Sequence, residues 1–338
     1  MSAAELLLQP DVVAAALLFC VAAAAGTNLY VTLGMLGLAS RLGFIPALPP
    51  GLTGLENGLV IGTAGALLIV EALADREAPF AGMWHTLHAL VKPVAAALLC
   101  ASALAGLDGG RVAAACVFAG AIALLFHAMR YGARVARRMP DAPRGSALLT
   151  LGEALLAIAL LLPMRYREAA VPVAGALLLV VLVGGLLGFR AFRLGVAAQR
   201  ARMRGFLGQT GWSGLDRLPA GLRAAVPPTP LGGTPPRAAR IGVLEARGIG
   251  RFSQGWLVSD SAGHQILAST WRGARSARLG GAPAVELRPG AWADELRIGV
   301  AAEKLRILLL KDGPAPVLVV RSLAEEPAVG GRVDLGKP

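Results

Sequence analysis

Charged residues are scarce in this chain: only 16% of its 338 residues are Asp, Glu, Lys or Arg. Soluble globular chains carry about 25% charged residues on average, so this low fraction excludes an ordinary soluble protein. Cysteine and histidine are also few, with 3 and 4 residues. A disulfide framework or a multi-ligand metal site therefore has almost no residues from which to form.

Familiar catalytic and nucleotide-binding motifs are missing as well. No G-x-S-x-G, H-E-x-x-H or P-loop pattern occurs, and no dinucleotide fingerprint stands in a strand–turn–helix context. His85 and His88 are a weak metal signal, because two histidines do not complete a tetrahedral site. We expect no cofactor, leave a metal unassigned and favour a protein that is not an enzyme. Lipid chemistry with His88 and Asp75 as acid and base stays open as the one enzyme hypothesis.

What the chain has in abundance is apolar sequence: 55% of its residues are apolar and the mean hydropathy is +0.62. Long Ala/Leu/Val/Gly runs fill residues 11–189, and about 17–25 apolar residues suffice for a helix to cross a bilayer. We predict an all-α polytopic membrane domain of about six helices. The first run, residues 11–44, exceeds one crossing, and Gly26-Thr27-Asn28 predicts an interruption in it. Whether this run crosses once or twice, and hence the side of the N-terminus, stays open.

The basic excess, 33 Lys and Arg against 21 Asp and Glu, gives a formal net charge of +12. The loops richest in Arg, residues 130–144 and 190–204, are placed in the cytoplasm by the positive-inside rule. We therefore expect a multi-pass protein of the bacterial inner membrane, with its C-terminal part in the cytoplasm. Expected partners are anionic lipids at the cytoplasmic face and a small ion or solute, but not nucleic acid. A homo-oligomer stays open.

The domain organisation follows from changes in composition. Residues 1–189 form the predicted transmembrane domain, residues 190–206 a basic juxtamembrane segment and residues 207–238 a Pro/Gly-rich linker. Short apolar runs, the last of them Val317–Val320, then alternate with Gly, Asp, Ser and Pro in residues 239–321. This pattern predicts a small all-β cytoplasmic domain, followed by a disordered tail over residues 322–338.

Polar residues inside or beside the apolar runs are the candidate functional residues, because a charge at mid-bilayer costs at least about 2.5 kcal/mol. Glu71 and Asp75 are four residues apart and share one face of a helix. The ion- or substrate-binding candidates are Thr27, Asn28, Glu71, Asp75, His88 and Lys92. Two alternatives stay open: charges that snorkel to the membrane interface beside a Trp84 anchor, and a helix break that is only a packing kink.

Three motifs, in this order, resemble the DUF4126 family of bacterial integral membrane proteins. They are Ala-Gly-Thr-Asn-Leu-Tyr at residues 25–30, Val-Glu-x3-Asp-Arg-x-x-Pro at residues 70–79 and Trp-x3-His-x3-Lys-Pro at residues 84–93. The resemblance covers about residues 11–189 and does not include the β-rich part. It implies a membrane architecture and a set of motifs but no reaction.

These observations predict a small channel or secondary transporter for an ion or small solute, with intramembrane carboxylates that bind a cation or proton. The alternative is a membrane-anchored scaffold or sensor whose cytoplasmic β module binds a protein or lipid partner. A structure in which Asn28, Glu71 and Asp75 converge on one cavity at membrane depth would favour the transporter over the scaffold.

Overall fold

The structure is a computed structural model, and the chain divides into two compact units. The first unit comprises residues 1–134 and 143–189, and the second comprises residues 135–142 and 190–338. The residues described are 9–74, 78–137, 146–226, 235–246, 248–260, 263–270, 273–279, 284–290, 293–300 and 303–324. Asp75 and most of the predicted tail lie outside them. The predicted fold class, a helical membrane domain plus a small β domain, is confirmed.

Apolar helices build the first unit. They are α1 Pro10–Thr27, α2 Leu29–Arg41, α3 Gly58–Ala74, α4 Ala78–Ala103, α5 Gly109–Arg137, α6 Ser146–Ala159 and α7 Ala170–Phe206, which continues into the second unit. Among the described residues, four helices are long and apolar enough to cross a membrane. The number becomes five if α3 and the 3-10 helix Pro50–Glu56 before it form one bent span. These helices fit a multi-pass membrane protein.

Large apolar side chains cover the exposed faces of these helices. Leu59, Val117, Leu182 and Val183 are each more than 70% exposed. Soluble proteins rarely leave so much contiguous apolar surface in water. The hydrocarbon core of a bilayer accommodates such side chains, provided that helices satisfy the backbone polar groups internally.

The predicted interruption of the first helix lies at Asn28, between α1 and α2. Asn28 has φ −146° and ψ 100°, an extended conformation that ends the helical geometry. Its backbone N–H donates to the carbonyl oxygen of Ala24 at 2.8 Å, and its Oδ1 accepts from the N–H of Val31 at 3.1 Å. Asn28 therefore closes α1 and caps α2 at once.

The break lies deep in the first unit, which we also call the helical unit. Asn28 and the preceding residues Ala23–Ala25 are fully buried. A Cβ added at Gly26 would lie 2.7 Å from Cα of Ala123 in α5. Glycine thus lets α1 approach α5 closely enough to enclose the break, as small residues do between membrane helices.

The second unit contains one antiparallel seven-stranded sheet with the order β4-β3-β2-β1-β7-β6-β5. The strands are β1 Arg237–Glu245, β2 Ser253–Asp260, β3 Gly263–Thr270, β4 Gly273–Leu279, β5 Ala284–Arg288, β6 Ala293–Val300 and β7 Glu303–Leu310. Val319 and Leu323 of helix α9, Pro316–Ala324, pack into the core on one face of this sheet.

The run Val317–Val320, which was predicted as part of the strand pattern, is helical and lies in α9. That prediction was wrong because a four-residue apolar run fits either period. Pro316, at the first position of α9, starts the helix without the loss of a backbone hydrogen bond.

The other face of the sheet is covered in two places. The last part of α7 packs there through Leu194, Ala198 and Ala201, which contact Leu244, Leu308 and Leu310. The segment before the sheet packs beside it through Leu218 and Leu222, which contact Ala238, Trp256 and Val258. Helix α8, Ala220–Arg223, belongs to this second segment.

Candidate functional site

Lys92 of α4 connects the helix break with Glu71 of α3. Its Nζ donates to the carbonyl oxygens of Gly26 at 3.4 Å and Thr27 at 3.2 Å. The same Nζ lies 3.7 Å from Oε1 of Glu71, and both side chains are fully buried. The last carbonyls of a helix carry a partial negative charge, so an ammonium group is stabilised there. The structure thus brings together Thr27, Asn28, Glu71 and Lys92.

Glu71 is the first carboxylate in a longer series of ion pairs. Nη1 of Arg130 donates to Oε1 of Glu71 at 2.7 Å, and Nε of Arg130 donates to Oε2 of Glu153 at 2.7 Å. Arg134 pairs with the same carboxylate through Nε, 2.9 Å from Oε1 of Glu153, and through Nη2. We call the series Lys92–Glu71–Arg130–Glu153–Arg134 the buried ion-pair chain. It joins α3, α4, α5 and α6.

Arg130 and Arg134 belong to the buried ion-pair chain, although both were predicted to lie in a cytoplasmic loop over residues 130–144. They lie instead in α5, which ends at Arg137. Both are buried, 6% and 7% exposed. The sequence did offer Glu153, which stands inside an apolar run, as a partner of Arg130 or His127, since a carboxylate there requires a cationic partner; the structure pairs it with Arg130.

His88 lies on the other side of the break and contacts α2. The oxygen of Tyr30 and Nε2 of His88 are 2.7 Å apart, and Nδ1 of His88 is 2.7 Å from the carbonyl oxygen of Trp84. Because that carbonyl only accepts, Nδ1 carries the proton, and a neutral ring then accepts at Nε2 from the Tyr30 hydroxyl. Trp84 also stacks on the His88 ring, with 4.5 Å between centroids.

Two further histidines, His85 of α4 and His127 of α5, are buried against each other. Nε2 of His127 donates to the carbonyl oxygen of His85 at 2.9 Å, and the two rings are 6.0 Å apart. Among the described residues, no group of three His, Cys, Asp or Glu side chains is arranged to hold a metal ion.

The polar side chains at the break act mainly within the helices. Thr27 Oγ1 donates to the carbonyl oxygen of Ala23 at 2.8 Å, so the backbone carbonyl of Thr27, not its hydroxyl, meets Lys92. Asn28 Nδ2, Glu71 Oε2 and Arg130 Nη2 are among the buried atoms that have no hydrogen-bond partner in the described part of the chain. Two donors and one acceptor thus retain hydrogen-bonding capacity, which a small polar solute or water can use.

A comparison with known families supports the motif resemblance. The model of one family, described as Domain of unknown function (DUF4126), matches residues 15–191, more than half of the chain. The chain belongs to the DUF4126 family. The DUF4126 match contains the three motifs and every member of the buried ion-pair chain, and it ends before the sheet. No curated protein and no solved structure matches the chain.

We call the first unit, which holds nearly all of the residues matched by the family model, the DUF4126 unit. Burying the charges of this unit costs free energy. Removing one partner of a buried ion pair costs about 3–5 kcal/mol, and apolar residues of similar volume stabilise a fold at least as well. Within the described residues, the buried ion-pair chain contains three cations and two carboxylates. Such a set of buried charges therefore adds little to the stability of the fold compared with apolar residues.

Proposed function

We propose that the DUF4126 unit is a small channel or secondary transporter for an ion or small solute. In this proposal the buried ion-pair chain holds the transported or coupled charge. The observation that supports it best is Lys92, whose Nζ lies 3.2 Å from the Thr27 carbonyl oxygen at the helix break and 3.7 Å from Glu71.

Contacts of Lys92 join a broken helix to an ionisable side chain. Many secondary transporters build their sites from discontinuous helices, whose half-helix ends and free backbone groups face the bound ion. Ionisable groups inside a membrane protein mark ion and proton pathways more often than structural contacts. Lys92 and Glu71 combine both features in one set of contacts.

Lys92 has two sets of partners, the carboxylate of Glu71 and the backbone carbonyls at the end of α1. A proton or cation that arrives at Glu71 neutralises its charge and weakens its hold on Arg130 and Lys92. The carbonyl oxygens of Gly26 and Thr27 then remain as partners for the ammonium group. Occupancy of Glu71 is thereby coupled to the position of the α1 end, and Asn28 supplies the hinge between α1 and α2.

We also propose the arrangement in the cell that the sequence predicts. Residues 1–189 form the membrane domain of an inner-membrane protein, and residues 239–321 form a cytoplasmic module after the basic segment and the linker. Anionic lipids lie against its cytoplasmic face. Protease added to inside-out vesicles should cleave the sheet-containing unit, whereas protease added to intact spheroplasts should not.

Reconstitution of the full chain into liposomes tests the transport proposal. Dyes inside the vesicles report the decay of proton, Na⁺, K⁺ and Cl⁻ gradients. We expect vesicles with the wild type to dissipate at least one gradient, and the same gradient to decay at least about tenfold more slowly in vesicles with Glu71→Gln. Glu168→Gln is the matched control, because Glu168 lies exposed in the 3-10 turn Arg167–Ala169.

Two results count against transport. One is that the wild type dissipates none of the gradients, and the other is that Glu71→Gln does so as fast as Glu168→Gln. Either result favours the alternative, a membrane-anchored scaffold or sensor. The observation that supports this alternative is the second unit, whose sheet has its own buried core.

A further inference from the structure

A cavity of about 900 Å³ lies within the second unit. It opens on the sheet face that the end of α7 and the segment before the sheet cover in part. Five arginines line it, and no Asp or Glu is among the described residues of its wall. The arginines are Arg190, Arg193, Arg217, Arg240 and Arg275.

The arginines come from separate parts of the unit and converge through the fold. Arg190 and Arg193 follow the apolar part of α7, Arg217 precedes α8, and Arg240 and Arg275 lie on β1 and β4. Convergence of like charges is unfavourable without a counter-charge. Arginines without a shared ligand are expected to spread over the solvated surface rather than to line one concave site.

Several other cations of the second unit already have carboxylate partners. Arg297 and Arg306 both pair with buried Glu295, and Lys311 pairs with Asp294 at 2.7 Å. In the part of the chain that the structure describes, none of the five cavity arginines takes part in an ion pair. A cleft lined by one sign of charge concentrates counter-ions.

The rest of the wall suits a small phosphorylated molecule. Arg240 lies over the Trp256 ring at 5.6 Å, and the two residues are directly opposite each other on β1 and β2. The stacked ring orients the guanidinium and leaves its N–H groups for an anion. Ser269 and Thr270 contribute hydroxyl groups to the wall.

The size of the cavity sets the scale of the ligand. Small-molecule sites have volumes of roughly 300–1,000 Å³, so this cavity exceeds what one phosphate ion needs. Gly250 keeps one wall open, because a Cβ there would lie 2.8 Å from Nη1 of Arg190. Guanidinium groups bind phosphate oxygens through paired N–H donors, which makes arginine well suited to this anion.

We infer that this cavity binds a phosphate-containing anion. The phosphate belongs either to a soluble phosphorylated molecule or to the headgroup of an anionic phospholipid, and the recognition chemistry is the same. This inference is independent of transport by the helical unit.

The test is titration of the detergent-purified full chain by calorimetry. One arm uses inorganic pyrophosphate, and the other uses dioctanoyl phosphatidylglycerol, with zwitterionic dioctanoyl phosphatidylcholine as the comparison lipid. Arg240→Gln and Arg193→Gln remove cavity charges. Arg237→Gln and Arg200→Gln are their controls, because these arginines are exposed on the same strand and the same helix and do not line the cavity.

We expect saturable binding that weakens about tenfold in each cavity variant, because each variant loses charge-assisted hydrogen bonds to the anion. The control variants should keep the wild-type Kd. Binding of pyrophosphate identifies a soluble phosphorylated ligand, and binding of phosphatidylglycerol without pyrophosphate identifies a lipid headgroup. The inference is overturned if neither probe binds saturably, or if cavity and control variants have the same Kd.

Discussion

Replacement of Glu71 by Gln removes one charge from the buried ion-pair chain and nearly preserves the side-chain shape. Oε1 of Glu71 lies 2.7 Å from Nη1 of Arg130 and 3.7 Å from Nζ of Lys92. Both cations are buried, so water does not replace the lost carboxylate. Only Glu153 then remains to balance three cations in the chain.

The expected cost follows from that arrangement. Loss of one partner in a buried ion pair destabilises a fold by about 3–5 kcal/mol. For a unit of this size, 1 kcal/mol shifts Tm by about 2–4 °C, so we expect a fall of roughly 6–20 °C. The double variant Glu71→Gln with Lys92→Met removes one charge of each sign. It should recover at least about half of that loss, because the balance of charge returns to its wild-type value.

The protein's own cysteines provide the assay. Cys20 and Cys100 are each 1% exposed, so a thiol-reactive dye labels them only when the helical unit unfolds. Cys116 is partly exposed and is replaced by Ser in every variant to lower the background. Tm is the temperature at which labelling reaches half of its maximum. A Tm within about 2 °C of the Glu168→Gln control, or no recovery in the double variant, would refute the reasoning.

Three further predictions concern single positions. Gly26→Ala should lower the Tm in the same dye assay by several degrees, because its Cβ would lie 2.7 Å from Cα of Ala123 and force the helices apart. Arg130→Lys keeps the charge but loses the guanidinium group that donates to both Glu71 and Glu153. Gradient decay in liposomes should therefore slow at least about tenfold. Burial lowers the pKa of His264, whose Nε2 donates to a backbone carbonyl of α9 at 2.7 Å. As the pH falls, the His264 imidazole therefore binds a proton in the unfolded chain, at a pH of about 6.5, before it does so in the folded protein. The stability of the sheet-containing unit should fall between pH 7 and pH 5. His264→Gln should flatten this dependence, measured by tryptophan fluorescence.

The membrane fold could be predicted from the sequence because bilayer thickness fixes the length of an apolar run. The interruption at Asn28 was equally accessible, since the Gly26–Asn28 segment is the main polar break in residues 11–44. The sheet was indicated by short apolar runs between turn residues. β4, Gly273–Leu279, and β5, Ala284–Arg288, were not singled out, because charged side chains interrupt the apolar pattern of both strands.

The candidate site was only partly accessible from the sequence. Glu71 and Lys92 could be selected because each charge lies in or beside an apolar run. Arg130 could be named as a partner of Glu153, but its burial and the role of Arg134 could not be predicted, since arginines that follow an apolar run are typical of a cytoplasmic loop. Their burial depends on the packing of α5 beside α3 and α6, which is set by contacts distant in sequence. Asp75 lies outside the described residues and stays a prediction.

Gradient decay in liposomes that contain equal amounts of Glu71→Gln or Glu168→Gln protein tests the central claim most directly. Both variants lose one carboxylate, but only one of these carboxylates belongs to the buried ion-pair chain. The account predicts wild-type decay for Glu168→Gln and at least about tenfold slower decay for Glu71→Gln, a change of about 1.4 kcal/mol or more in the barrier. Equal decay rates for the two variants would contradict it.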